Sequence, residues 1–276
     1  MPVLESPLLA PLLYAETDLD RVQQFSFVHG RVLVFTARSP VKETVNEDVL
    51  ALIPVGERAG VFAIADGLGG LPAGEMAARL AVTCLKDSLS EVKEDDPNLR
   101  EAILNGIEQA NTDILALGNG CATTLAVVEL QAGMMRSYHV GDSLIMLVGQ
   151  RGKLKFQSVS HSPVGYAVEA GLLDETEAVH HEQRNVVSNV IGMPDMRIDI
   201  GPAIELASRD TLLLASDGLP DNLYVDEIIS RVKAGPLKEA GDSLVKDCRK
   251  RMQSALQERP GHPDDLSVIL YRPAPL

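Results

Sequence analysis

The apolar positions of the chain form short strand-like runs on both sides of two longer helical segments. Residues 24–36 alternate weakly, and the apolar runs 49–55 and 60–66, joined by a polar turn, are typical of a β-hairpin. Residues 73–92 and 99–118 carry apolar side chains at three- and four-residue spacing. Because only a short polar break separates them, we expect two consecutive helices in an αα-hairpin.

The second half of the chain predicts more strands, an irregular excursion and two more helices. Four strand-like runs with short connections favour an antiparallel meander: residues 122–130, 134–140, 143–149 and 153–160. The periodicity then disappears over residues 161–196, where a short helix is expected near residues 174–179. The remaining elements are strands over 196–206 and 210–217, helices over 225–233 and 237–256, and a closing strand over 265–272.

This order of elements indicates the fold class. Strands and helices do not alternate one by one, which disfavours a parallel, doubly wound sheet. One or two antiparallel sheets with helices on the outside, an α+β fold, agree better with the order. The length of 276 residues is within reach of a single large domain, and we expect residues 1–276 to form one.

Composition and charge exclude several classes of function. The net charge of −14 argues against a nucleic acid or an anionic membrane as partner, because both need a basic surface. Three cysteines without a CxxC pair predict neither a disulfide framework nor a thiolate zinc site. The chain has no run of 18 uncharged apolar residues and begins with a poor secretory signal, so we expect a cytoplasmic protein.

Five acidic residues in four separate phrases form the clearest chemical pattern. Glu47 and Asp48 precede one apolar run, Asp66 and Asp217 each end another, and Asp264 precedes the closing strand. Residues at strand ends lie on the rim of a sheet, where several such ends can meet. Carboxylates that meet require neutralisation, and a hard divalent cation with oxygen ligands provides it. The pattern therefore predicts a metal-dependent hydrolytic site.

The glycine-rich phrase ADGLGG, residues 65–70, has a competing interpretation as a dinucleotide-binding loop. The GxGxxG fingerprint requires a third glycine where Pro72 stands, and a second strand does not follow the helix. We instead interpret Gly67 and Gly69 as residues that let the backbone turn tightly, so that the Gly67 carbonyl faces the same ion as Asp66.

Six phrases in a fixed order resemble a known family. NED, DGLGG, GCATTLAVV, HVGDS, SDGL and DDLS occur between about residues 31 and 271. The chain resembles the metal-dependent protein phosphatases of the 2C type in their compact bacterial form. The resemblance implies a four-layer α-β-β-α sandwich, in which two central antiparallel sheets are flanked by helix pairs.

The resemblance also implies a ligand set for two Mg²⁺ or Mn²⁺ ions. Asp66 would bridge the two ions, Asp217 and Asp264 would complete the shell of one, and the Gly67 carbonyl would bind the other. A water molecule that bridges the ions would attack the phosphorus atom.

Further residues acquire roles by the same resemblance. Glu47 and Asp48 would hold water molecules in the outer shell of the ions, with Asp66 completing the catalytic set. Asp142 resembles a ligand of a weaker third ion, which it would share with Asp217. Residues 161–195 would form a flap, and its His161 is expected to be structural.

The chain departs from the family at three positions. Glu43 stands where an arginine commonly grips the substrate phosphate, and Lys42, Arg38 or Arg31 are candidate replacements. Leu68 replaces a histidine that animal-type enzymes carry, and Leu144 replaces the arginine of VGDSR.

Three functions remain open from the sequence. The first is a cytoplasmic phosphoserine/phosphothreonine protein phosphatase whose partner is a phosphorylated protein. The second is a catalytically weak relative that binds a phosphoprotein or a regulator, which the substitutions at Glu43 and Leu144 favour. The third is a phosphatase of small metabolites.

Overall fold

Two antiparallel sheets stack face to face in the computed structural model, which describes residues 8–68, 73–93, 97–253 and 260–274. Within these residues the first sheet has, in spatial order, strands β1 (Leu12–Ala15), β4 (Asp48–Val55), β5 (Ala59–Asp66), β6 (Leu125–Gln131), β7 (Met134–Val140) and β10 (Asp199–Ile200), with β11 (Ile204–Glu205) also paired to β7. The second sheet has, over the same part of the chain, β2 (Gln23–Phe27), β3 (Gly30–Ala37), β13 (Leu266–Pro273), β12 (Thr211–Ala215), β8 (Leu144–Val148) and β9 (Leu154–Gln157).

Helices cover the outer faces of the two sheets. Further short helices lie within the segment between β9 and β10. The helices are α1 (Gly74–Ser90), α2 (Leu99–Ala116), α3 (Pro163–Glu169), α4 (Glu175–Val179), α5 (Val225–Val232) and α6 (Leu237–Gln253). No helix within the described residues is long and apolar enough to cross a membrane.

Side-chain alternation along the strands explains the layered packing. In β4, Leu50 and Leu52 point into the core between the sheets, whereas Val49 and Ala51 belong to the core under α1 and α2. Successive residues of a strand point to opposite faces, so a strand covered on both sides is apolar throughout. The second sheet repeats this pattern, with its outer face packed against α5 and α6. The predicted four-layer α+β sandwich is confirmed.

The predicted meander is wrong, because its four strands belong to two different sheets. β6 and β7 pair in the first sheet, whereas β8 pairs with β9 and β12 in the second. The chain crosses between the sheets at Gly141, whose φ of 109° lies in a region that favours glycine. A Cβ atom at Gly141 would lie 2.5 Å from the Cβ of Thr124, so the crossover also needs the space that glycine leaves.

Other predicted elements agree with the structure within a few residues. The β4–β5 hairpin, the α1–α2 pair and the short helix α4 all form. The sequence did not predict β1 or α3, and the strand-like run 196–206 contains only the two-residue strands β10 and β11. The polar break at residues 94–96, the glycines at 69 and 70, and the predicted end of α6 at 254–256 lie outside the described residues.

Strand register places the acidic phrases at one edge of the sandwich. Asp48, which begins β4, is directly opposite Asp66, which ends β5. In the second sheet Ala215, which ends β12, is opposite both Leu144 and Val268 near the starts of β8 and β13. The residues just beyond these strand ends therefore meet at the same edge of both sheets.

Candidate metal centre

Asp48 and Asp66 form the part of the centre that the first sheet provides. As opposite residues of antiparallel strands, their Cβ atoms are separated by roughly 5 Å and point to the same face. Asp48 is fully buried, and its Oδ2 accepts a 2.8 Å hydrogen bond from the Ser216 hydroxyl. Its Oδ1 is buried without a hydrogen-bond partner in the described structure. An unpaired carboxylate oxygen in this position fits a site for a cation or its water.

Two threonines of the GCATT phrase hold the backbone of Asp66. The Asp66 amide donates to the Thr124 hydroxyl at 3.1 Å, and its carbonyl accepts from the Thr123 hydroxyl at 2.8 Å and from the Thr124 amide at 2.9 Å. These bonds fix the end of β5, so the Asp66 carboxylate extends from a rigid support.

Gly67 is required by the close approach of helix α1. A Cβ atom at this position would lie 2.3 Å from the Gly74 carbonyl oxygen, which no side chain allows. The Gly67 amide donates to the Glu47 carbonyl at 3.3 Å. The glycine therefore joins β5, α1 and the loop before β4 at the point where the predicted ligands begin.

Asp217 and Asp264 come from the second sheet. Asp217 follows β12, and the next residue, Gly218, has no room for a Cβ atom because that atom would lie 2.0 Å from the Asp265 carbonyl oxygen. Asp264 precedes β13, and its Oδ1 accepts the Asp265 amide at 2.8 Å. Both residues are half-buried, so each keeps some contact with solvent.

Asp142 enters the same centre from the crossover between the sheets. Its neighbour Ser143 is fully buried, and the Ser143 hydroxyl bonds with that of Thr124 at 2.8 Å. Because Thr124 also holds Asp66, one hydrogen-bonded chain positions Asp142 and Asp66 together.

Mutual repulsion and burial raise the pKa of these carboxyl groups. Burial, followed by the charges of Asp48, Asp264 and Asp142, raises the pKa of Asp66 well above its usual range. Burial and the charge of Asp66 act in the same direction on the pKa of Asp217. Like charges held together in this way favour either a proton or a cation.

The other carboxyl groups of the cluster show the same effect. Burial raises the pKa of Asp48 to about 7, with the charge of Asp265 as the next cause. Burial also raises the pKa of Asp142 to about 6, and it raises that of Asp264 above its ordinary value.

Asp221 is a sixth carboxylate that the sequence did not identify. It lies four residues after Asp217, and its amide donates to the Asp217 carbonyl at 2.9 Å. Burial and the charges of Asp142 and Asp264 raise its pKa to about 7, while Arg184 acts in the opposite direction. The sequence signal for Asp221 lies in the phrase SDGLPD. Asp221 follows Asp217 by four residues, so one turn of the chain brings both side chains to the same side.

The donor set fits hard divalent cations. No three or more His, Cys, Asp or Glu side chains in the described part of the chain already surround one point closely enough to hold an ion. Carboxylate oxygens from Asp66, Asp142, Asp217 and Asp264 are nevertheless the ligands that Mg²⁺ and Mn²⁺ prefer, and their charges act on one another here. Their roles as ligands stay a prediction.

Glu47 takes part in an ion-pair network beside the cluster. The Lys42 ammonium donates to Glu47 Oε2 and, at 2.8 Å, to Asp265 Oδ2. Asp265 also accepts the amides of Ser39 and Glu47, each at 2.7 Å. Burial lowers the pKa of Lys42, but its hydrogen bonds and charge interactions with Asp265 and Glu47 exceed that effect and raise it. The network fixes the loop that precedes Asp48.

The candidate residues for binding the substrate phosphate have different surroundings in the structure. Lys42 is occupied by two carboxylates, and Arg38 pairs with Asp18 at 3.2 Å and donates to the Thr44 carbonyl at 3.4 Å. Glu43 and Arg31 are exposed.

We expect the loss of Lys42 to reduce stability rather than substrate binding. Lys42→Met removes the ammonium and leaves the buried Asp265 charge without it, which is expected to lower the free energy of unfolding by about 1–3 kcal/mol. Lys42→Arg keeps the charge and should retain most of the stability. Chemical denaturation of the two variants tests this. A raised KM at unchanged stability would instead identify Lys42 as a phosphate ligand.

His161 anchors the start of residues 161–195, for which a flap is predicted. It is buried, its Nδ1 lies 3.1 Å from the Gly141 amide, and its Nε2 lies 3.0 Å from Asp199 Oδ2. Its amide donates to the Gly141 carbonyl at 2.8 Å. The segment 161–195 is therefore held at its start by the crossover that carries Asp142.

Carboxylates gathered at one edge of such a sandwich are typical of hydrolases that use divalent metal ions. Residues 39–259 match the family model described as Protein phosphatase 2C. The chain belongs to this family.

Individual relatives agree with that assignment. The protein phosphatase PhpP of Streptococcus pneumoniae is 36% identical over 200 residues, which cover 68% of this chain and 80% of PhpP. The solved structure of the S. agalactiae serine/threonine phosphatase is 28% identical, with a TM-score of 0.75, over 87% of this chain and 98% of that one.

A third comparison supports the fold. The catalytic domain of the serine threonine protein phosphatase PstP, solved in complex with two manganese ions, is 22% identical. It has a TM-score of 0.68 and covers 89% of this chain and 99% of that one.

Proposed function

We propose that this chain is a metal-dependent phosphoserine/phosphothreonine protein phosphatase. The observation that supports it most directly is the meeting of Asp48, Asp66, Asp142, Asp217 and Asp264 at one edge of the sandwich. Family membership provides the reaction class, which is hydrolysis of a phosphate monoester. The substrate is a phosphorylated protein, and the products are inorganic phosphate and the free hydroxyl group.

The residues divide into ligands and supports in this proposal. Asp66, Asp217 and Asp264, with the Gly67 carbonyl, would hold two Mg²⁺ or Mn²⁺ ions, and Asp142 would share a third with Asp217. Such ions, when bound, activate water and offset the charge on phosphoryl oxygens. Thr123, Thr124, Ser143 and Ser216 support the backbone and carboxylates of these residues through the hydrogen bonds described above.

Glu47 and Asp48 are the proposed outer residues. Asp48 has a buried Oδ1 without a hydrogen-bond partner, and the fixed position of Glu47 comes from Lys42. Each carboxylate can accept a hydrogen bond from water and hold it in place. We further propose that residues 1–276 act as one phosphatase domain, with the flap at 161–195 beside the centre.

Hydrolysis of p-nitrophenyl phosphate with Mn²⁺, compared with the same assay in EDTA, tests the reaction class. A panel of phosphoserine and phosphothreonine peptides beside a panel of small phosphorylated metabolites tests the substrate class. We expect metal-dependent hydrolysis in the first assay and higher kcat/KM for peptides in the second. Activity that persists in EDTA would contradict the metal mechanism, and preference for metabolites would contradict the protein substrate. Peptide binding without turnover would favour the regulator.

A further inference from the structure

A cavity of ≈ 390 Å³ lies directly beside the carboxylate cluster. Asp142 and Asp217 are among the residues that line it. Its walls come from the flap on one side and from β8, β9 and the start of α5 on the other. The volume falls within the range of pockets that bind small molecules or a side chain with its backbone.

The walls of this cavity are mostly apolar. Val164, Val168 and Val179 line it from the flap, and Leu144 and Leu223 line it from the second sheet and the segment before α5. Leu144 is the residue that replaces the family's arginine, so this departure keeps a positive charge out of the wall.

The charged groups of the lining do not favour a basic occupant. Asp221 lines the cavity beside Asp142 and Asp217, and the charge of Arg184 partly offsets its own. Glu169 is exposed at the rim. In the proposed function Asp142 and Asp217 hold metal ions, which leaves Asp221 and Glu169 as the lining carboxylates that a lysine could reach, whereas the valine and leucine walls favour an apolar side chain. An acidic side chain would be repelled by the cluster.

We propose that this cavity binds a large apolar side chain of the substrate, next to the phosphorylated residue. The proposal rests on the proposed phosphatase function, which places the phosphate at the cluster. An extended peptide advances about 3.3–3.6 Å per residue, so the side chain of an adjacent residue reaches a pocket that borders the phosphate site. The cavity thus sets substrate choice, and the cluster sets the chemistry.

A pair of identical substitutions on the flap tests the proposal. Ala178 lines the cavity, and Ala178→Phe fills it. Ala170 directly follows α3 as its C-cap, is exposed and does not line the cavity, so Ala170→Phe adds the same side chain outside it. Three phosphothreonine peptides, with leucine, serine or lysine on both sides of the phosphorylated residue, are assayed beside p-nitrophenyl phosphate.

We expect wild-type kcat/KM to be at least about tenfold higher for the leucine peptide than for the other two. Ala178→Phe should remove this preference, mainly through KM, and leave p-nitrophenyl phosphate hydrolysis unchanged. Ala170→Phe should behave as wild type. Equal rates for the three peptides, a preference for the lysine peptide, or a parallel loss of all activities in Ala178→Phe would overturn the proposal.

Binding of uncleavable peptides separates this proposal from the phosphatase function. The leucine and serine peptides are made with a phosphonate in place of the phosphate ester and titrated with Mn²⁺ present, with fluorescence anisotropy as the readout. If the leucine peptide binds more tightly and Ala178→Phe abolishes that difference, the pocket is supported even when no peptide is hydrolysed. Absence of hydrolysis would contradict only the proposed function. Hydrolysis without any difference in binding would contradict only the pocket.

Discussion

Replacing Asp66 with asparagine is expected to abolish Mn²⁺-dependent hydrolysis of p-nitrophenyl phosphate while the chain stays folded. The charges of Asp48, Asp264 and Asp142 act on Asp66, which also shares a hydrogen bond with Asp217, and Asp66 is the proposed ligand of both ions. Loss of an outer-shell partner typically costs 10–100-fold in metal affinity or activity. Loss of a central ligand should therefore exceed about 100-fold.

The same substitution has an opposite expected effect on stability without metal. Asparagine removes one charge from a set of like charges, so the EDTA-treated variant should unfold at a higher temperature than the EDTA-treated wild type. Asp242→Asn is the matched control, because Asp242 lies on the exposed face of α6 and pairs only with Lys238 among the bonds described for it. The control should match wild type in both assays. Activity of Asp66→Asn near the wild-type level would refute the assignment of the ligands.

The sequence predicted the elements whose pattern is local. The β4–β5 hairpin and the α1–α2 pair follow from alternation and helical spacing within each segment, and the acidic phrases mark strand ends. The predicted ligands Asp66, Asp217 and Asp264 come together because strand register brings those ends to one edge. Resemblance to the family contributed Asp142, which no periodicity indicates.

The crossover at Gly141 could not be predicted from local pattern. Two adjacent apolar runs joined by a short turn satisfy a hairpin and a change of sheet equally well, and only the packing of both sheets decides between them. β8 is buried along its whole length, as a central strand between β9 and β12 must be. The strand-like run that contains β10 and β11 shows that pattern alone does not make a long strand. It forms two-residue strands only where β7 offers a free edge.

The supports of the centre were missed for a related reason. Thr124, Ser143 and Ser216 are small polar residues whose sequence context is typical of turns, and their value lies in contacts over long separations in the chain. Ser216 reaches Asp48 across the space between the sheets, at a separation of 168 residues. The Lys42–Asp265 pair likewise joins residues 223 apart. Such pairs become visible only when the fold is known.

Stability without metal is expected to fall as the pH rises from 6.5 to 8. Asp48 and Asp221 have a pKa of about 7 in the folded chain, whereas an unfolded aspartate titrates near 3.9. The folded state therefore binds more protons than the unfolded state in this range, and the free energy of unfolding decreases as these protons are lost. With two groups titrating, the expected loss is about 1–2 kcal/mol.

One histidine makes the choice of pH range important. Burial, followed by the charge of His161, lowers the pKa of His139 to about 4, so the unfolded state takes up its proton first as the pH falls. His139 therefore destabilises the fold below about pH 6.5, in the direction opposite to the aspartates. At pH 6.5 this histidine is neutral in the folded state and half protonated in the unfolded state, so it opposes the aspartates by only about 0.4 kcal/mol up to pH 8, and the aspartates dominate the slope.

Divalent metal should reverse the dependence on pH. Cations replace the protons that relieve repulsion among Asp48, Asp66 and Asp217, and they bind better as those protons leave. The increase in Tm that Mn²⁺ produces over EDTA should thus be larger at pH 8 than at pH 6.5, as measured by differential scanning fluorimetry. Asp221→Asn should flatten the slope without metal, whereas Asp242→Asn should leave it unchanged. A metal-free Tm that rises between pH 6.5 and 8 would show that these carboxylates do not repel one another.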